Sequence, residues 1–142
     1  MCQIKNVTDK NWENDGLETG DYVVCKNKKT FSFVGMCSCS AIIFKGKQGY
    51  AAFHYPAGVL VHNSKDEDME KFFEEIKSLL NGIDKVIYHT PIEMPMASPQ
   101  FTKKQIIDQE ALETFFKTKG IANFLSVDTL HELIDTYESE AF

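Results

Sequence analysis

A hairpin written into the middle of the chain constrains the fold more than any other feature. Ser40-Ala-Ile-Ile-Phe-Lys45 is a short apolar run, Gly46-Lys-Gln-Gly49 makes a turn, and Tyr50-Ala-Ala-Phe-His-Tyr55 returns as a second strand. Glycines around two polar residues, between β-forming runs, are a strong local hairpin signal because glycine accepts the backbone angles that tight turns demand. Such a turn sets residues whose numbers sum to about 93 or 95 opposite one another. Pro56 and Gly58 end the returning strand.

The segments before the hairpin also read as strands. Asp21 to Lys26 holds Tyr-Val-Val-Cys, Asn27-Lys28-Lys29 suits a turn, and Thr30 to Val34 alternates at period two until Gly35 breaks it. Val59 to His62 is a further short strand candidate. Residues 1–20 are polar and read as a loosely ordered lead-in, anchored by Trp12.

After the hairpin the period changes from two to 3.6. Ser64 to Glu67 forms a capping box, and Met69, Phe72, Phe73, Ile76, Leu79 and Leu80 then share one helical face that Gly82 closes. Asp84 to His89 reads as a buried strand. Thr90 to Pro99 carries three prolines and reads as a crossover loop, or, with Met94 and Met96, as a substrate-facing one. Asp108 is the expected cap of a second helix with Leu112, Phe115 and Phe116 inward. Ile121 to Val127 is a last strand, and Asp128 the expected cap of a final helix through Leu130, Leu133, Ile134 and Tyr137. The expectation is one α/β (α+β) domain over residues 1–142, with an antiparallel or mixed sheet or sandwich flanked by helices.

Bulk properties exclude several roles. Fifteen basic against 21 acidic residues leave a formal net charge of −6, and no basic stripe interleaved with aromatics appears, so nucleic acid is not an expected partner. No apolar run approaches the roughly 20 residues needed to cross a bilayer. The polar start lacks the apolar core of a signal peptide. Cys2, Cys25, Cys37 and Cys39 lack the spacing of a disulfide framework, which points to reduced thiols in a cytoplasm, or to an exported effector without a cleavable signal. Oligomeric state is not legible.

Chemistry concentrates at the hairpin. Cys39 stands at the mouth of one strand and His54 on the strand that pairs with it, and their numbers sum to 93. An imidazole within reach of a thiol generates the thiolate nucleophile, and backbone N–H groups in the irregular Gly35 to Ser38 stretch and beside Cys39, notably those of Ser38 and Cys39, suit a developing oxyanion. Strand cysteines and histidines are also ordinary core residues, and that bland reading stands beside the catalytic one. Cys37 has the same side-chain parity and is the alternative nucleophile. Cys37, Cys39 and His54 fall short of a usual zinc set, so no metal is expected, and no nucleotide fingerprint or other cofactor signal is present. His62 and His89-Thr90 stand at element ends, where surface or strand-end polar groups are commoner than cleft-lining ones.

Gly35-Met-Cys-Ser-Cys-Ser-Ala-Ile-Ile-Phe44, followed by Ala51-Ala-Phe-His54, resembles the active-site region of bacterial protein-glutamine deamidases. The nearest patterns are those of the chemoreceptor glutamine deamidases, and the catalytic domain of the cytotoxic necrotizing factors and the Burkholderia lethal factor toxin are similar in arrangement. The resemblance covers residues 33–56. It implies a cysteine hydrolase that converts a glutamine of a protein substrate to glutamate, with Cys39 as nucleophile, Ser38 as the small residue before it and His54 as base. Several members have a Thr six residues before the Cys; here that position is Phe33, so Ser32, Thr30 or the Phe33 backbone carbonyl would orient the imidazole. The alternatives are a non-catalytic binding module that keeps the fold, and transglutaminase-like amide chemistry.

Overall fold

The computed structural model describes residues 4–35, 39–56, 67–90, 99–139 and 142, with the backbone alone for 99–108. A six-stranded mixed sheet runs in the order β1-β2-β4-β3-β5-β6. Its strands are β1 (Lys5–Asn6), β2 (Asp21–Cys25), β3 (Ser40–Gly46), β4 (Gly49–Tyr55), β5 (Lys85–His89) and β6 (Phe124–Ser126). The helices are α1 (Trp12–Asp15), α2 (Glu67–Leu79), α3 (Pro99–Thr118) and α4 (Leu130–Glu138). The expected hairpin is the centre of this single α/β domain. β3 and β4 pair antiparallel from Ser40↔Tyr55 to Gly46↔Gly49, β2 joins β4 and β5 joins β3, both antiparallel. The short outer strands β1 and β6 run parallel to their neighbours.

Both faces of the hairpin are covered, which is why its arms read as nearly continuous apolar runs rather than as an alternation. Ile42, Phe44, Phe53, Tyr55 and Tyr88 pack against Met69, Phe72, Phe73 and Ile76 of α2 and Leu112 and Phe116 of α3. Ala41, Ile43, Ala52 and Ile87 face the other way, under Trp12, Leu17, Phe31, Leu133 and Tyr137. Among the described residues, no helix is long and apolar enough to cross a membrane.

The two turn glycines are required by space. A Cβ on Gly46 would stand 2.3 Å from the Gly82 carbonyl oxygen beyond α2, and one on Gly49 would stand 2.2 Å from the Cys25 carbonyl oxygen. The turn is therefore wedged between the end of α2 and the end of β2.

Several expectations are corrected. Residues 4–20 are no loose lead-in: β1 pairs with β2 and Leu17 is fully buried, while Trp12 is buried as the expected anchor. Thr30 to Val34 is not a strand. Its alternation is real, with Phe31 and Phe33 inward, but the segment lies over the sheet and makes only a bridge from Phe33 to Leu17. α3 begins at Pro99, so Asp108 lies inside the helix; proline suits the first helical position because the N–H it lacks has no partner there. Leu79 is 48% exposed and Leu80 takes the inward place in the last turn. Thr129 rather than Asp128 caps α4, its Oγ1 accepting from the Glu132 N–H at 3.0 Å while the Glu132 carboxylate accepts from the Asp128 N–H. The Val59 to His62 strand, the cap at Ser64 to Asp66 and the loop from Pro91 to Ser98 lie outside the described residues.

Gly46→Ala should cost about 1–3 kcal/mol, since backbone on the α2 side has to move to admit the methyl group. Urea denaturation measures it; the exposed neighbour Lys47→Ala, within about 0.5 kcal/mol of wild type, is the control. An unchanged midpoint for Gly46→Ala would show that the turn is not wedged.

Candidate active site

The hairpin register brings Cys39 and His54 to one face. Ala41 is directly opposite His54, and Cys39 lies two residues before Ala41, so its side chain points the same way and meets His54 on the diagonal. The two therefore sit one step apart along the ladder rather than straight across it. His54 is fully buried and Cys39 is 9% exposed.

The imidazole is fixed from its far side. His54 Nδ1 lies 2.8 Å from the Leu17 carbonyl oxygen, and since a carbonyl only accepts, Nδ1 carries the proton. The same carbonyl accepts from the Val34 N–H at 3.0 Å, and the His54 carbonyl accepts from the Gly20 N–H at 2.8 Å. The 17–21 segment is thus tied both to β4 and to the covering segment. Thr19 adds its hydroxyl 3.7 Å from Cys39 Sγ. With Nδ1 committed, Nε2 is the nitrogen left for the thiol. It is sealed from solvent without a fully formed hydrogen bond, a looseness common in catalytic pairs that hold no substrate.

Burial opposes charge on His54, but the neighbouring Cys39 thiol, the hydrogen bond to the Leu17 carbonyl and the charges of Cys39 and Asp21 outweigh it, and the imidazole is held above its ordinary range. This is the electrostatic pattern of a thiol and imidazole that share a proton. Cys25, at the far end of the same face, is different: burial pushes its thiol up, so it is the less reactive sulfur.

The other expected members are placed as follows. Thr30 is exposed and its hydroxyl donates to Glu138 on α4, away from His54. Ser32 is exposed, its backbone carbonyl taken by the Leu17 N–H. Phe33 meets His54 through its ring, edge to face at 6.3 Å between centroids, rather than through its carbonyl. The group that orients the imidazole is the Leu17 carbonyl, and a backbone oxygen leaves no side-chain signature to find in a sequence. Ser38 and Cys37 lie outside the described residues. Among the described residues, no group of three His, Cys, Asp or Glu side chains is arranged to hold a metal ion.

A cleft of about 760 Å³ among the described residues is at the opposite end of the sheet, lined by Lys26, Lys45 and Lys47 around the hairpin turn. It contains no cysteine or histidine, so its size does not make it the seat of the chemistry. Comparison with protein-family models, with curated proteins and with solved structures yields no match.

One more histidine lies on this face. His89 opposes Ala41 from β5, and burial lowers its pKa despite the Val127 carbonyl and the carboxylates of Asp128 and Glu132. Unfolded chain takes up that proton more readily, so the stability His89 contributes is present above its ordinary value of 6.5 and is lost as pH falls through the lower folded value. His54 acts with the opposite sign, its contribution complete below the unfolded value and lost as pH rises through the raised one. His89→Leu should therefore flatten the loss of stability on the acid side. Urea midpoints between about pH 5 and 8 measure it; an identical slope in the variant would mean that His89 is not held neutral.

Proposed function

We propose that this chain is a cysteine hydrolase that deamidates glutamine side chains of a protein substrate. The observation that carries the reading is the Cys39–His54 pair: same sheet face, imidazole oriented by the Leu17 carbonyl, and its pKa raised by the thiol. In this reading Cys39 Sγ, with its proton on His54 Nε2, attacks the carboxamide carbon, and the Cys39 N–H faces the oxyanion. Collapse breaks the C–N bond, His54 gives its proton to the leaving ammonia, and a thioester forms. Water, deprotonated by His54, then hydrolyses the thioester to the glutamate carboxylate and returns the thiol.

The protein substrate is part of the proposal through the resemblance, as are the cytoplasmic or exported location and the bacterial setting. A binding module draws support from the 9% exposure of Cys39, a low value for a nucleophile that must meet a side chain on another protein. Transglutamination would differ only in the acceptor, an amine in place of water.

Alkylation by iodoacetamide near pH 6, read by peptide mass mapping, should label Cys39 at least about tenfold faster than Cys25. His54→Ala should remove most of that advantage. Equal, slow labelling of both thiols in the wild type defeats the hydrolase reading in favour of a binding module. Where the thiol is reactive, substrate proteins treated with wild type but not Cys39→Ala should gain one mass unit at a glutamine. An adduct of added primary amine at that glutamine would instead establish transglutamination.

A further inference from the structure

His89 is held by the same device as His54. The two histidines oppose Ala41 from either side, at about the 5 Å cross-strand spacing, so their rings flank one methyl group. Cys39 lies on the diagonal from both. The buried hydroxyls of Ser40 and Thr90 bond at 2.8 Å, which ties the residue after Cys39 to the residue after His89 and fixes the spacing of β3 and β5 at this end. His89 Nδ1 is 3.1 Å from the Val127 carbonyl oxygen. A carbonyl cannot donate, so Nδ1 carries the ring proton, and in the neutral ring Nε2 is then a pure acceptor. His89 is 8% exposed against none for His54, and it stands at the end of its strand.

A neutral imidazole whose single N–H is already spent discriminates between the two ends of the proposed reaction. A carboxamide presents N–H hydrogens; the carboxylate it becomes presents only lone pairs. Resting on the deamidase reading above, we infer that His89 is a specificity-determining residue, its Nε2 accepting a hydrogen bond from the NH2 group of the carboxamide that meets Cys39. The bond holds the amide and disfavours the carboxylate product, whose oxygens face the Nε2 lone pair. It also turns the amide nitrogen so that the lone pair freed on attack faces His54. The departing nitrogen takes its proton from His54, and His89 neither gains nor loses one. Sites built to hydrogen-bond a particular N–H or O–H reject analogues that lack it far more strongly than apolar pockets reject a missing methylene.

The test uses the intact chain and needs no substrate protein. Iodoacetamide and iodoacetate differ as amide and carboxylate, and both alkylate Cys39. In the wild type the ratio of their rates at Cys39 should exceed that for free cysteine by about tenfold or more. His89→Leu should bring the ratio down towards free cysteine while Cys39 still outpaces Cys25. Because neutral His89 and leucine carry the same charge, the change reports the lost acceptor and not a changed field on the anionic reagent. His89→Gln, whose carboxamide oxygen reaches the place of Nε2, should restore part of the ratio, and circular dichroism of both variants guards against a folding defect. A reactive Cys39 whose ratio is the same in wild type and both variants overturns the role of His89 and leaves the hydrolase reading intact. A wild-type Cys39 no more reactive than Cys25 overturns both.

Discussion

Pairing Gly46 with Gly49 sets every partner along β3 and β4, and with them the contents of both cores. In this register Ile42, Phe44 and Phe53 go to the α2–α3 side, while Ala41, Ile43, Ala52, Cys39 and His54 go to the other. A slip of one residue in one strand would send its whole set to the wrong face. Burial on both sides makes such a slip expensive, and the two turn glycines are wedged against Gly82 and Cys25, where any side chain brought in by a slip would collide. The thiol, on the residue just before β3, and the imidazole, inside β4, therefore meet through the same register that makes the sheet stable.

Two histidines on one face have been pushed in opposite directions by what lies beside them. Burial works against charge on both. At His54 a thiol, a carbonyl and the Asp21 carboxylate overcome it, and at His89 the carbonyl and the carboxylates of Asp128 and Glu132 do not. Neighbouring titratable groups with diverging pKa values are a recurrent sign of divided chemical roles. Here each ring is also locked to one tautomer by a backbone oxygen, that of Leu17 for one and that of Val127, immediately after β6, for the other.

Much of the fold was legible because it depends on local signals. The hairpin, β2, β5 and the inward faces of α2 and α4 follow from turn glycines and from periods of two and 3.6. What misled were signals that tertiary packing overrode. Phe31 and Phe33 alternate as a strand does, yet they serve as a lid over one sheet face, since burying two rings satisfies the pattern without a ladder. The polar composition of residues 4–20 hid two apolar anchors, Val7 and Leu17, which join the expected anchor Trp12 in fixing the segment. Leu79 fits the helical stripe of α2 by spacing, but at the end of the helix it is Leu80, the next residue, that turns into the core and leaves Leu79 exposed.

By itself the sequence determined that there is a hairpin and which residue types stand on its arms, because turn chemistry and side-chain alternation are properties of adjacent residues. It determined that Cys39 and His54 have compatible parity. Only the tertiary structure decided that the diagonal contact is made, that Leu17 supplies the orienting carbonyl where Thr30, Ser32 and Phe33 were the expected candidates, and that His89 shares the face. Those outcomes rest on backbone oxygens and on pairing between strands distant in the chain. Every residue has the same carbonyl, and no local pattern records which of them will end up beside an imidazole.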